Sequence, residues 1–343
     1  MRTQHAPALD VARVRALRPD ADDPAVRTAE WVRGALAAGL LDLPLPGRGS
    51  SEQRLRALLD VGSLDLDLAR LVEAHADALA ILADLDGTEA GDDRRLWGVW
   101  AADPPADRLT AVEVDGRWLV DGTKPWCSGA GTCDAALVTA HAPDGYRLFR
   151  VDLGGPGVRP VDGTWPGVAL RGSDSRAVRF TRHPAVAVGG PGGYLDRPGF
   201  WHGAVGVAAV WLGGAAGVAG ALATAHGRRP LNPHALAHAG AVDALLAAGW
   251  SLLRDAAEQC DRDPEDTEAV ARRTAGRVRA VVERVATEVV DRVGRALGPA
   301  PLARDPEHAR RVADLQLYLR QHHAERDLEE HGSAVLAEGR WPW

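Results

Sequence analysis

Apolar residues recur at helical spacing through the first quarter of the chain. In AVRTAEWVRGALAAGLLDL (residues 25–43) and LDLARLVEAHADALAILADLDG (66–87) they return every three or four positions. That spacing predicts two amphipathic helices, the second ending at Gly87. GRGSSEQ (47–53) between them is a polar loop, with Ser50 or Ser51 a natural N-cap for the helix that follows. From about residue 96 the period changes. RLWGVWAA, LTAVEVDGRWLVDG, AALVTAHAPDGYRLFRVDL and AVRFTRHPAVAV are short β-forming runs punctuated by Pro-Pro, Asp-Gly and Gly-Gly, the spacing of a small sandwich or barrel. GGPGGYLDRPG (189–199) reads as a linker by composition. Beyond it the helical period returns at 203–225, 234–260, 268–297 and 307–332. The expected fold class is α+β, mostly α: an N-terminal helical domain (1–94), a middle β-sandwich or barrel domain (95–190) and a C-terminal four-helix bundle (200–343).

The uncharged 203–225 stretch, GAVGVAAVWLGGAAGVAGALATA, is long enough to span a bilayer, and Gly213 and Gly217 form a G-x-x-x-G pair. Gly and Ala dominate it and no second such segment is read, so a buried bundle helix and no membrane partner are expected. The N-terminus has no apolar signal core, which leads to a cytoplasmic expectation. A chain of 343 residues suffices for two or three units with sizeable cores, and a net charge of -7 argues against a nucleic-acid partner. Cys127, Cys133 and Cys260 make no metal-ligand spacing and, being odd in number, suit no disulfide framework. No metal is expected, and a reducing compartment fits.

The chemistry concentrates in VDGTKPWCSGAGTCDAALVTA (120–140), which holds the only lysine of the chain, Lys124; the other 39 of 40 basic residues are arginine. A strand, an Asp-Gly turn and a second strand lead into WCSGAG, where small residues let backbone approach a flat ligand. This segment resembles the flavin-binding "G-x-K-x-W-x-[ST]" strand and turn of the acyl-CoA dehydrogenase superfamily. Other stretches match in the same order. VWAADPP (99–105) resembles the family's "TEP" stretch, RGSDSRAVRFTRHPAVAV its closing strand pair, and GAAGVAGALATAHGRR its bundle helix ending in "R-x-x-F-G". ALGPAPLARD resembles its "G-G-x-G" loop.

The resemblance implies the α–β–α architecture, an FAD cofactor, and a homodimer or homotetramer. It places Trp126 against the isoalloxazine ring, Cys127 beside it and Ser128 on the ring's polar edge, with Arg228 or Arg229 as diphosphate contacts and Gly298 as a backbone contact. Read from the residues alone, Trp126 is a core aromatic, Ser128 a turn hydroxyl, and Cys127 and Cys133 small buried hydrophobes. The family's catalytic glutamate has no counterpart: laying ADLQLYLRQHHAERDL on its stretch puts His322 at the base position. The alternative base position, around Val207 and Ala208, is apolar, and a flavin-holding Thr is replaced by Ala102.

On one long helix, His322 and Arg326 share a face, as do His323 and Asp327. The alternative for RQHHAERD is a solvated face with ion pairs such as Arg326–Glu330. Dehydrogenation of an acyl thioester, with an electron acceptor as partner and His322 or Glu325 as a non-standard base, is the first expectation. The superfamily's flavin-dependent monooxygenases often carry His in this region and take reduced FAD or FMN from a partner reductase. They are the second, acting on a small-molecule substrate. A fold relative that binds flavin or an acyl group without catalysis is the third.

Overall fold

The computed structural model describes residues 9–87, 94–104 and 108–337. The N-terminal residues 1–8 behind the signal-peptide reading, and Pro105 of the 99–105 stretch, lie outside the described residues. Among the described residues, in chain order, four helices come first, α1 (Val11–Ala16), α2 (Pro24–Ala37), α3 (Ser51–Leu64) and α4 (Leu66–Asp86). Seven strands follow: β1 (Trp97–Trp100), β2 (Thr110–Val114), β3 (Arg117–Cys127), β4 (Ala135–Ala142), β5 (Gly145–Asp152), β6 (Val158–Val161) and β7 (Arg176–Val188). Then come α5 (Gly193–Asp196), α6 (Pro198–Arg228), α7 (Pro233–Arg262), α8 (Ala271–Leu297), α9 (Ala300–Arg304), α10 (Pro306–Tyr318) and α11 (Glu325–Ala337). The protein is α+β and mostly α. Packing groups the described residues into two compact units, one from 9–11, 44–69 and 201–337, the other from 12–43 and those described between 70 and 200.

In the second unit the strands close on themselves. β4, β2, β3, β7 and β5 pair in a ring that returns to β4, with β1 added to β4 and β6 to β7. The expected sandwich or barrel is a closed five-stranded barrel, mostly antiparallel, whose closure leaves the ring no free edge. Alternate residues fill it: Val120, Val138, Phe149, Val178 and Phe180 with Trp100. The other face of β4 packs Ala135 and Leu137 against Ala78, Ile81 and Leu82 of α4. That is why AALVTA is buried on both faces, with Thr139 its one polar side chain.

In the first unit, α3 and α6 cross with their backbones nearly touching. A Cβ on Gly62 would stand 2.6 Å from the Val210 carbonyl oxygen, one on Gly217 2.9 Å from that of Ser63, and one on Gly213 would overlap that of Leu59. The G-x-x-x-G pair of Gly213 and Gly217 therefore serves helix packing inside the fold. Gly213→Ala is expected to force the helices apart and cost about 1–3 kcal/mol, or more where neither backbone can yield. A urea midpoint equal to that of the wild type would contradict this packing.

Five local expectations are corrected. The expected turn at Asp121-Gly122 is no turn: β3 runs unbroken from Arg117 to Cys127 with a register irregularity there, and the tight Asp-Gly turn is Asp115-Gly116, between β2 and β3. The 189–199 stretch is no plain linker, since it holds α5 and the start of α6. α8 begins at Ala271 instead of 268, because the Asp266 carboxylate accepts from the Val270 and Ala271 amides and caps the helix there. The last helix is not continuous: it ends in a short turn at Leu319–Gln321, His322 is extended, Ala324 is left-handed, and α11 starts at Glu325. His322 and Arg326 therefore share no helical face. Finally, α6 is not alone in being long and apolar enough to cross a membrane. α7 also qualifies, with 67% of the α6 window buried in the fold but only 17% of the α7 window. Its alanine content supplies the hydropathy without large side chains to bury.

Candidate functional site

β3 ends in a bulge. Lys124 pairs with Val178 of β7 and Cys127 with Arg176, so Pro125 and Trp126 together face Ala177. Trp126 absorbs the extra residue at φ 57°, a left-handed conformation that costs a bulky side chain on the order of 1–3 kcal/mol. Its indole is nonetheless 57% exposed, so it is no core aromatic. Strain without internal packing marks a side chain presented to something outside the core.

The neighbours of Trp126 hold the bulge from behind. Lys124 is buried, its Nζ donating to the Thr139 carbonyl oxygen at 2.8 Å and Oγ1 at 2.9 Å. Burial pushes the ammonium down to about 8. Cys127 is wholly buried in the barrel core, and burial holds its thiol strongly protonated. Only its backbone is left for a ligand. Cys133 is likewise a small buried hydrophobe, pushed up to about 12 by burial.

Ser128 opens a tight loop. The Gly129 amide donates to the Ser173 carbonyl at 2.8 Å, the Ala130 amide to that of Asp174 at 3.1 Å, and the Gly131 amide to the Asp174 carboxylate at 2.7 Å. At its far end Asp134 is clasped by Arg33 of α2 at 2.9 Å and by the Leu96 amide at 2.8 Å. Trp100 donates its indole N–H to the Ser128 carbonyl at 2.9 Å. The Ser128 hydroxyl is buried, accepts from Arg70 Nε of α4 at 3.2 Å, and lies 2.9 Å from Ser175 Oγ. Arg70 in turn is ion-paired with Glu73, both largely buried. Ser175 also lines a solvent-open cleft with Trp165, Arg171 and Arg176.

Arg70, Glu73 and Ser175 were missed in the sequence. The available signal was an opposite-charge pair at i, i+3, Arg70 and Glu73, among the apolar residues of LDLARLVEAHADALAILADLDG. An exposed flat aromatic and a fixed hydroxyl two residues on, set on a glycine-rich loop, fit the ring of a flavin. Of the residues that resemblance assigned to the ring, Trp126 is presented outward by the bulge, Ser128 is buried against Arg70 and Ser175, and Cys127 is turned into the barrel core.

In the first unit, His322 is 4% exposed, extended, and stands between the turn after α10 and α11. Burial holds its imidazole below the usual value; Asp327 opposes this and Arg279 adds to it. His323 is exposed, and Asp327 captures both its backbone amide and its ring at 3.1 Å. That capture ends the helix. Glu325 is exposed at the start of α11, and the expected Arg326–Glu330 pair is present at 3.7 Å. Arg228 and Arg229 are exposed at the end of α6, and Gly298 caps α8 at φ 67° with open space around it. A small pocket in this unit is lined by Arg54, Trp201, His202, Gln259, Cys260 and Thr274 among others, and by none of the sequence-predicted site residues.

No protein-family model matches the chain, and no curated protein matches it in sequence. Solved structures do. FMN-bound TdsC, the dibenzothiophene monooxygenase of Paenibacillus sp. A11-2, superposes with a TM-score of 0.80 at 22% identity over 98% of each chain. The nitrososynthase of Micromonospora carbonacea var. africana gives 0.78 at 17% identity, covering 96% of this chain and 94% of that one. The methanesulfinate monooxygenase MsuC of Pseudomonas fluorescens gives 0.75 at 17%, covering 97% and 98%. Over nearly its whole length, the chain has the fold of the acyl-CoA dehydrogenase superfamily.

Proposed function

We propose that the chain is a flavin-dependent monooxygenase that receives reduced FMN or FAD from a partner reductase and transfers one oxygen atom of O2 to a small-molecule substrate. His322 carries the reading. By the sequence resemblance it aligns with the catalytic glutamate, and its burial in the structure makes it a weaker base than a free imidazole. A dehydrogenase must strip an α-proton from an acyl thioester, which a depressed imidazole does poorly. A neutral imidazole instead both donates and accepts hydrogen bonds, which suits orienting an oxygen species or substrate. The structural neighbours, two monooxygenases and a nitrososynthase, support the same class.

Bound flavin would supply the two electrons. Trp126 would cover the ring and Ser128 hold its polar edge, with Arg228, Arg229 and Gly298 as candidate phosphate contacts. FMN needs fewer such contacts than FAD. The same reading carries the three-domain layout with its four-helix bundle, a cytoplasmic location, and a homodimer or homotetramer. The largely exposed apolar window of α7 supports self-association, and a compact monomer by light scattering would remove that part.

The test is isotopic. With FMN and a reductase under ¹⁸O2, a panel of organosulfur, amine and aromatic compounds is expected to yield a product carrying one ¹⁸O. Anaerobic acyl-CoAs should leave oxidised flavin unbleached. Bleaching by an acyl-CoA would reverse the assignment to dehydrogenation, with His322 or exposed Glu325 as base. His322→Ala is expected to lower turnover by about 10² to 10⁴, with flavin content and melting temperature kept; turnover equal to that of the wild type would remove His322 from the site.

A further inference from the structure

The hydrogen bonds behind Ser128 have only one consistent direction. Ser173 Oγ lies 2.8 Å from the Leu170 carbonyl oxygen, which only accepts, so the Ser173 proton goes there. Ser173 Oγ is also 2.9 Å from Ser175 Oγ. With its own proton spent, Ser173 accepts in that pair and Ser175 donates. Ser175 Oγ is 2.9 Å from Ser128 Oγ, and by the same step Ser128 is the donor. At the head of the row, Arg70 Nε–H can only donate, and it does so to Ser128 Oγ at 3.2 Å. The row therefore runs Arg70, Ser128, Ser175, Ser173, Leu170. The buried ion pair with Glu73 fixes its first member.

A hydroxyl has one proton and two lone pairs. Ser128 has given its proton to Ser175 and one lone pair to Arg70, so what remains is a single acceptor. This matters because oxidised and reduced flavin differ at N5: the oxidised nitrogen accepts a hydrogen bond, whereas the reduced one carries a hydrogen and donates. Turning the Ser128 proton outward to meet oxidised N5 would break the bond to buried Ser175, a loss on the order of 1 kcal/mol.

We propose that the Arg70–Ser128–Ser175–Ser173 row is a redox-state selector, which sets Ser128 as an acceptor and so favours reduced over oxidised flavin. The inference rests on the flavin reading above. It makes Ser173 and Ser175 positioning residues that act through Ser128. It also gives this chain a reason to take its flavin already reduced.

The test measures affinity for FMN in both oxidation states, anaerobically for the reduced form, together with the midpoint potential of the bound flavin. The wild type is expected to bind reduced FMN about tenfold more tightly than oxidised FMN, which raises the potential by about 30 mV over free FMN. Ser175→Ala frees the Ser128 proton to point outward and should erase most of that preference. Ser175→Thr restores the hydroxyl and should restore the preference, which a loss of folding alone would not predict. Equal affinity of the wild type for both states, or an unchanged ratio in a folded Ser175→Ala, would overturn the selector. Failure to bind FMN in either state would overturn the flavin reading and the selector with it.

Discussion

Trp126→Gly is expected to weaken FMN binding about ten- to a hundredfold while leaving the fold as stable as the wild type to within about 1 kcal/mol. The two halves have separate causes. The indole is 57% exposed, so its removal leaves no cavity. The left-handed backbone at this residue, costly for Trp, is one that glycine adopts freely, and that relief offsets glycine's greater freedom in the unfolded chain. A stacked indole, by contrast, is worth roughly 1.5–3 kcal/mol to a flat ligand through buried area and ring contact, which is the predicted loss of affinity. Fluorescence titration with FMN and thermal melting read the halves independently. Unchanged affinity would show that the exposed indole does not meet the flavin.

The largest effect on stability is expected at Arg310. Its guanidinium reaches Asp65 at 2.6 Å, Asp314 at 2.8 Å and Asp67 at 3.1 Å, three carboxylates whose side chains are almost completely buried. Asp65 also accepts from the Leu68 amide in the first turn of α4. Arg310 thus ties α10 to the start of α4 within the first unit. Replacing it with Met keeps much of the volume and removes the charge that offsets three buried anions. Breaking a buried pair from one side costs about 3–5 kcal/mol, and the presence of three acids here argues for the upper end. Urea denaturation of Arg310→Met reads this directly; a loss below about 1 kcal/mol would mean that water screens the cluster.

Much of the architecture was legible because periodicity is local. The change from helical spacing to short β runs near residue 96, and back near 200, survives in the structure as helices, a barrel and helices. The strand and the small residues around Trp126–Ser128 were legible for the same reason, whereas the expected turn at Asp121-Gly122 is an irregularity inside the unbroken strand β3. What was hidden depends on pairing across distance. Arg70 and Glu73 look like a solvated face until α4 is packed against the strands, and Ser175 lies 47 positions from Ser128. The break at His322 was hidden because its cause is the capture of His323 by Asp327, in a segment whose composition is that of a continuous helix. Lys124 drew notice by rarity, but its role in this structure is internal, with its ammonium bound to Thr139.

The most direct measurement of the central claim is a crystal structure of the protein soaked with FMN. The account predicts the isoalloxazine ring in van der Waals contact with the Trp126 indole, and Ser128 Oγ within hydrogen-bond distance of the ring's N5 edge. Flavin bound elsewhere with Trp126 still in solvent, or no flavin at saturating FMN, would contradict it.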